Sequence, residues 1–144
     1  MFDAHDCIAM LTNRGAKALD EEMNRRFSSE EITRVQWTAL YFISIAGEMT
    51  QKELARALMI SEPSASNLVS RMLSSDLLVR SADTRKSHAK SIKLSAKGKA
   101  VLDEIYPVVE DFNKVATSEI SEEDLNTFKR VMAKMIESVS GDRD

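Results

Sequence analysis

The sequence predicts a mainly α-helical chain with a small β wing, and three observations lead there. Four Gly and two Pro in 144 residues leave few breakers, which suits long helices and not a many-turned β-sandwich. Apolar residues recur at helical spacing along most of the chain. The clearest run is Ala65, Leu68, Val69, Met72 and Leu73, at i, i+3, i+4, i+7 and i+8. Only Leu77-Leu78-Val79 and Ser91-Ile92-Lys93-Leu94 read as strands, both short.

Each element follows in order. From Ala4 to Met23 a helical stripe runs through Ala4, Cys7, Ile8, Leu11, Gly15, Ala18, Leu19 and Met23, and its small residues would admit a close neighbouring helix. Ser28-Ser29-Glu30-Glu31 is a helix start or a polar connection. Val35 to Ile45 is so dense in apolar side chains that its helix should be nearly all buried, with Gly47 as its stop. Thr50-Gln51-Lys52-Glu53 has capping-box spacing and opens a short helix with Leu54, Ala55 and Leu58 on one face. A turn at Met59 and Ile60 leads to Ser61 and Pro63, a second helix start. Two short helices so joined form a helix-turn-helix.

The second of these helices carries Ser64, Ser66, Asn67, Ser70, Arg71 and Ser74 outside its apolar stripe, with no acid beyond Glu62. Surface helices ordinarily carry Glu and Lys there; a face of Ser, Asn and Arg can lie against phosphates and base edges without repulsion, or be a plain solvated face. The connection from Arg80 to Lys90 is too long and basic for a minimal hairpin and reads as a wing. Ser95 starts a further helix through Val101, Ile105, Val108, Phe112 and Val115, with a kink or break expected near Tyr106 because Pro107 follows. Ser121 caps the last helix, whose stripe is Leu125, Phe128, Met132, Met135, Ile136 and Val139; the tail from Ser140 to Asp144 is expected to fray. A small lobe cannot cover all these stripes, so the N- and C-terminal helices are expected to intertwine with a second copy in a symmetric dimer.

Composition narrows the function classes. With 43% hydrophobic and 30% charged residues the chain is globular, and its length suits one domain. One Cys excludes an intramolecular disulfide, and the absence of an apolar span or basic leader leads us to expect no membrane association and a cytoplasmic location. The net charge of -3 hides a strong asymmetry: residues 1–49 carry -3, 50–79 carry 0, 80–99 carry +6 and 100–144 carry -6. The basic block is an electrostatic footprint for a polyanion, or a solvated loop beside an acidic tail.

Nothing points to catalysis: no Ser/His/Asp grouping, phosphate-binding Gly loop or paired-acid motif is present, and His88 alone in a basic loop is a poor general base. Asp3, His5 and Cys7 do not form a metal site, because i and i+2 point apart on a helix; no metal or cofactor is expected. Cys7 belongs to the apolar stripe with Asp3 and Asp6 beside it, which favours packing over redox reactivity.

Thr33-x-x-Gln36-Trp37, Thr50-Gln51-Lys52-Glu53-Leu54-Ala55, Ser61-x-x-Ser64-x-Ser66-x-Leu68-Val69-x-Arg71-Met72, Leu77-Leu78-Val79-Arg80 and Leu94-Ser95-x-x-Gly98 occur in that order. Together they resemble the MarR family of bacterial transcription regulators over nearly the whole chain. The resemblance implies a single domain over 1–144, a winged helix-turn-helix lobe at 33–96, and dimerisation helices at 1–28 and 98–139. It implies a homodimeric, ligand-responsive repressor on a pseudo-palindromic operator, with half-sites about one DNA turn apart. Ser64, Ser66 and Asn67 would lie nearest the bases, and Thr50 and Arg71 at the backbone.

Two positions depart from the family pattern. Asp76 stands where a Gly is usual at the end of the recognition helix, and Asp tolerates the left-handed conformation. Ungapped counting puts the family's Asp-x-Arg wing motif on Lys86, Ser87 and His88, while Asp83-Thr84-Arg85 lies three residues early. Arg85 is the favoured minor-groove contact, with Lys86 and His88 as the alternative. Family members commonly bind small aromatic or phenolic acids. Here Trp37 and Tyr41, with Phe42 beside them, are the candidate lining and Arg14 the anion partner, unless these aromatics are simply core. Two other functions stay open: a winged-helix protein–protein module without specific DNA binding, and a cysteine-based redox-sensing regulator.

Overall fold

The computed structural model describes residues 1, 3–81 and 91–141, and the chain forms two compact units, Met1–Val109 and Glu110–Asp144. The first unit opens with a 3-10 turn at Ala4–Asp6, closed by the Asp3 carboxylate, which accepts from the His5 N–H. Cys7 is extended (φ -66°, ψ 111°), and α1 (Ile8–Phe27) begins only after it. The helix expected from Ala4 is therefore interrupted, because Asp3 caps its own short turn and Cys7 sits ahead of α1. Near the end of α1, Arg25 and Arg26 both donate to the Glu22 carboxylate and hold its pKa down at about 2.

The Ser28–Glu31 segment is the polar connection: a 3-10 turn at Ser28–Glu30, then Glu31 in the left-handed region (φ 54°). Thr33 caps α2 (Arg34–Ala46) with a full capping box, in which its hydroxyl accepts from Gln36 N–H and the Gln36 side chain accepts from Thr33 N–H. Arg34 ties α2 to α1, donating its N–H to Asn24 and its Nε to Asp20 at 3.0 Å. Gly47 (φ 79°) ends α2 as predicted. The near-total burial expected of this helix is not found: Ala39, Leu40 and Ile43 are buried, but Ile45 is 67% exposed. Apolar density predicts burial on all sides, whereas α2 packs one face onto this lobe.

Next come β1 (Met49–Thr50), α3 (Gln51–Leu58) and α4 (Glu62–Ser74), then β2 (Leu78–Arg80) and β3 (Ser91–Leu94). The strands form an antiparallel sheet in the order β1-β3-β2, with Met49 opposite Ile92 and Leu78 opposite Leu94. The third strand was not anticipated, since two residues carry no readable period. β2 starts one residue later than predicted because the Leu77 N–H closes α4 on the Met72 carbonyl (2.9 Å).

α5 (Ala96–Ala116) runs through Pro107 without the expected break. Proline removes one donor, and the carbonyl it deprives belongs to Asp103 on an exposed stretch that water can solvate. The core of the first unit is Leu40, Ile43, Leu54, Val69, Met72 and Ile92, joined by Phe27 of α1 and Ile105 of α5. No polar or charged residue is buried among the described residues.

In the second unit, Ser121 caps α6 (Glu122–Ser140) by accepting from the Asp124 N–H at 3.1 Å. No residue of α6 is buried, and its stripe stays open, with Phe128 62% and Val139 64% exposed. Of the tail expected to fray, residues 142–144 lie outside the described residues. No described helix is long and apolar enough to cross a membrane.

Met59 is the left-handed C-cap of α3 (φ 55°) with its side chain 83% exposed, so it carries backbone strain without packing in return. Met59→Gly is expected to raise stability by up to about 1 kcal/mol, read as a higher urea midpoint; a fall would show that the turn is held by the side chain.

Candidate nucleic-acid interface

The helix-turn-helix is built by two caps. At α3 the Thr50 hydroxyl accepts from the Glu53 N–H, and Glu53 accepts from the Thr50 N–H at 2.8 Å. At α4 the Ser61 hydroxyl accepts from the Ser64 N–H and donates to the Ser64 hydroxyl at 2.9 Å, with Pro63 in the first turn. These bonds fix where each helix starts.

Burial then fixes how α4 is rotated. Ala65, Leu68, Val69 and Met72 are buried, which leaves Ser64, Ser66, Asn67, Ser70, Arg71 and Ser74 exposed on the opposite side. Asn67, Ser70, Arg71, Ser74 and Ser75 line one shallow concavity there. Arg71 also lines a second groove with Leu68 and with Thr33, Arg34 and Gln36 at the start of α2. The Ser74 and Ser75 hydroxyls turn back onto the carbonyls of Ser70 and Arg71, so they contribute less to an outside partner than Asn67 and Arg71 do. The structure thus brings Ser64, Ser66, Asn67 and Arg71 together on one helix. Thr50 is half-buried at the head of α3, its hydroxyl occupied as an acceptor.

α4 ends in a Schellman closure: Leu77 N–H bonds Met72 O at 2.9 Å and Asp76 N–H bonds Leu73 O at 3.1 Å. Asp76 is left-handed (φ 60°), so this acid does occupy the position that favours Gly. One residue with a role here was missed in the sequence. Lys97, counted with the basic block, donates its Nζ to the Ser75 carbonyl at 2.9 Å. No local pattern announces a contact across 22 residues. The wing candidates Arg85, Lys86 and His88 lie outside the described residues; Arg80 and Lys93, exposed on β2 and β3, are the described cations of that sheet.

Trp37 and Tyr41 are brought together, stacked with ring centroids 5.9 Å apart, and Phe27 packs on Trp37 in a T-shaped pair with centroids 6.4 Å apart. Trp37 is half-buried against the core, and its Nε1 is buried with no hydrogen-bond partner among the described residues. Tyr41 is 37% exposed. Arg14 is an exposed residue of α1. Among the described residues no group of His, Cys, Asp and Glu could hold a metal ion.

Comparison with known proteins matches the model of the MarR family over residues 31–87. A MarR family transcriptional regulator from Silicibacter pomeroyi is 23% identical with a TM-score of 0.82, covering 94% of this chain and 91% of that one. MepR from S. aureus, solved with DNA, is 21% identical with a TM-score of 0.83 over 95% of this chain and 99% of its own. NadR, solved with 4-hydroxyphenylacetate, is 21% identical with a TM-score of 0.79 over 94% and 96%. At these identities the likeness to the solved structures is one of fold.

Proposed function

We propose that this chain, which belongs to the MarR family, is a homodimeric regulator of transcription that binds a pseudo-palindromic DNA operator and releases it when a small ligand binds. The observation that carries this reading is the exposed face of α4: Ser64, Ser66, Asn67 and Arg71 stand on a helix whose opposite face is locked in the core. That face precedes the +6 block at 80–99. Ser64, Ser66 and Asn67 read base edges in the major groove, and Arg71 and Thr50 bind phosphates. Arg85 reaches the minor groove, with Lys86 and His88 as the alternative contact. The fold shared with MepR, which was solved with DNA, supports the same partner.

Homodimerisation is proposed from the apolar side chains left open: Ile8, Leu11 and Leu19 on α1 are each more than half exposed, and so are Phe128 and Val139 on α6. Exposed apolar surface on this scale marks an interface. For the effector, the fold shared with NadR and the Trp37–Tyr41 stack favour a small aromatic acid, with Arg14 taking its carboxylate.

Three experiments test this reading. DNA selected from a random duplex pool should bind with an affinity that falls by orders of magnitude between about 50 and 200 mM salt. Arg71→Ala should lower the slope of that dependence by about one, and Arg85→Ala should cost about 1–3 kcal/mol. Weak, salt-insensitive binding to every duplex would leave the protein–protein module as the better description, and an unaffected Arg85→Ala would move the wing contact to Lys86 or His88. In sedimentation, Phe128→Glu should convert a dimer to monomers; an unchanged mass would remove α6 from the interface. Because Trp37 is the single tryptophan, 4-hydroxyphenylacetate or benzoate should change its fluorescence saturably and more weakly in Arg14→Ala. No saturable change would assign Trp37 and Tyr41 to the core alone.

A further inference from the structure

Three successive carbonyls at the end of α4 are taken by the first turn of α5. Ser75 O accepts from Lys97 Nζ at 2.9 Å, Asp76 O accepts from the Ser95 hydroxyl in a short bond, and Leu77 O accepts from Ser95 N–H at 3.1 Å. The Ser95 hydroxyl in turn accepts from the Gly98 N–H at 2.9 Å, so the cap of α5 is also a crosslink to α4. Gly98 lets the two backbones meet: a Cβ there would lie 2.1 Å from Leu77 O and 3.1 Å from Leu77 C. These are backbone atoms, which cannot swing aside as a side chain would. The residues between, 78–94, hold β2, β3 and the wing, and none of the three bonds runs through them.

A helix end ordinarily hands its last carbonyls to water or to its own closing turn. Here the closing turn is complete through Asp76 and Leu77, and the carbonyls beyond it are spent on another element. A cation at a helix C-terminus also interacts favourably with the helix dipole. Lys97 therefore makes a contact within the protein in addition to carrying one of the charges of the basic block.

We infer that Ser95, Lys97 and Gly98 are positioning residues that lock the C-terminal end of the DNA-reading helix α4 to the start of α5, and so set the spacing at which the two α4 helices of a dimer engage their half-sites. The spacing claim rests on the DNA-binding reading above; the joint itself does not. If α4 is fixed to α5 and α5 to its counterpart in the dimer, the distance between recognition helices is a property of the α5 pairing.

The test uses the full-length protein on duplexes built from its selected site, with the half-sites moved apart by one or two base pairs. Wild type should prefer one spacing. In Lys97→Ala and Gly98→Ala the ratio of best to displaced spacing should fall about two- to five-fold, and Lys97→Arg should keep it. A fold that is merely less stable lowers binding at every spacing in proportion, leaving the ratio unchanged and overturning the inference. A uniform loss in Lys97→Ala with a salt slope reduced by about one would also overturn it, by making Lys97 a phosphate contact. A second measurement needs no DNA: spin labels at Asn67→Cys and Asp103→Cys within one chain, in a Cys7→Ser background diluted with unlabelled protein. Their distance distribution should broaden in Lys97→Ala and in Gly98→Ala. An unchanged width in both refutes the joint, and exposed Lys97 keeps this decisive if Gly98→Ala does not fold. If wild type prefers no duplex, the DNA reading and the spacing claim fall together while the label widths still decide the joint.

Discussion

The outward face of α4 depends on burial of its inward face. Ser, Asn and Arg are individually weak, adaptable partners, and they recognise a surface only when their carrier presents them at one angle. Ala65, Leu68, Val69 and Met72 impose that angle. Rotating the helix by one residue, about 100°, would carry Ser66 and Ser70 into an apolar core with no partner for their hydroxyls, and each unsatisfied group costs about 1–3 kcal/mol. The core around Leu40, Ile43, Leu54 and Ile92 contains no polar residue that could reward such a turn. Packing thus specifies rotation, the Ser61 cap specifies the start, and the Schellman closure at Asp76 specifies the end.

What was legible in the sequence follows the range of the forces. The α4 stripe, the Thr50–Glu53 capping box, the Ser61 start and the Gly47 stop are set by neighbours within a few residues, and the structure holds them where the pattern put them. Fidelity fell wherever a distant atom decides. β1 exists only because Met49 and Thr50 find β3 about forty residues on, and β2 begins late because Leu77 N–H is already engaged by Met72. Of the kink or break expected near Tyr106, the break is absent for another reason: one lost donor on a solvated turn does not end a 21-residue helix. Of the candidate site, the exposed acid-free face of α4 was readable, because a missing acid shows in sequence and the apolar stripe fixes which side is buried. The carbonyl contacts of Ser95 and Lys97 were not, because they are fixed by tertiary approach at Gly98.

The charge distribution gains a division of labour. The chain's net -3 obscures a +6 block at 80–99, yet the block is not uniform in role. Arg80 and Lys93 are exposed on the sheet, whereas the Lys97 ammonium points at a protein carbonyl. Lys97 keeps its full charge, since a neutral carbonyl cancels none of it, but one of its three donors is already engaged within the protein. The -6 segment at 100–144 includes Glu122, Glu123 and Asp124 in the first turn of α6, where carboxylates are stabilised by the helix dipole. Part of that acidity thus has a local structural explanation and need not indicate a partner.

Linkage constrains how a regulator of this build can respond to a ligand. A ligand shifts the DNA-bound population only by the difference between its affinities for the competent and incompetent arrangements, however tightly it binds either. In a lobe where α4 packs on the core along one face and is bonded to α5 just beyond its C-terminal end, the arrangement least costly to change is not the tilt of α4 within its own lobe. That tilt is held by the α4 stripe and the contacts of Ser95, Lys97 and Gly98 together. In the proposed homodimer the softer coordinate would be the relation between the two copies through the apolar helix faces left exposed in one chain. The proposed effector site at the Trp37–Tyr41 stack lies on α2, whose Tyr41 and Ile45 are exposed, so a ligand there would be placed to act on that coordinate. Under the proposed function, rigid presentation of the α4 side chains and ligand-driven release of DNA would then be compatible, because the first rests on packing within one copy and the second on the contact between copies.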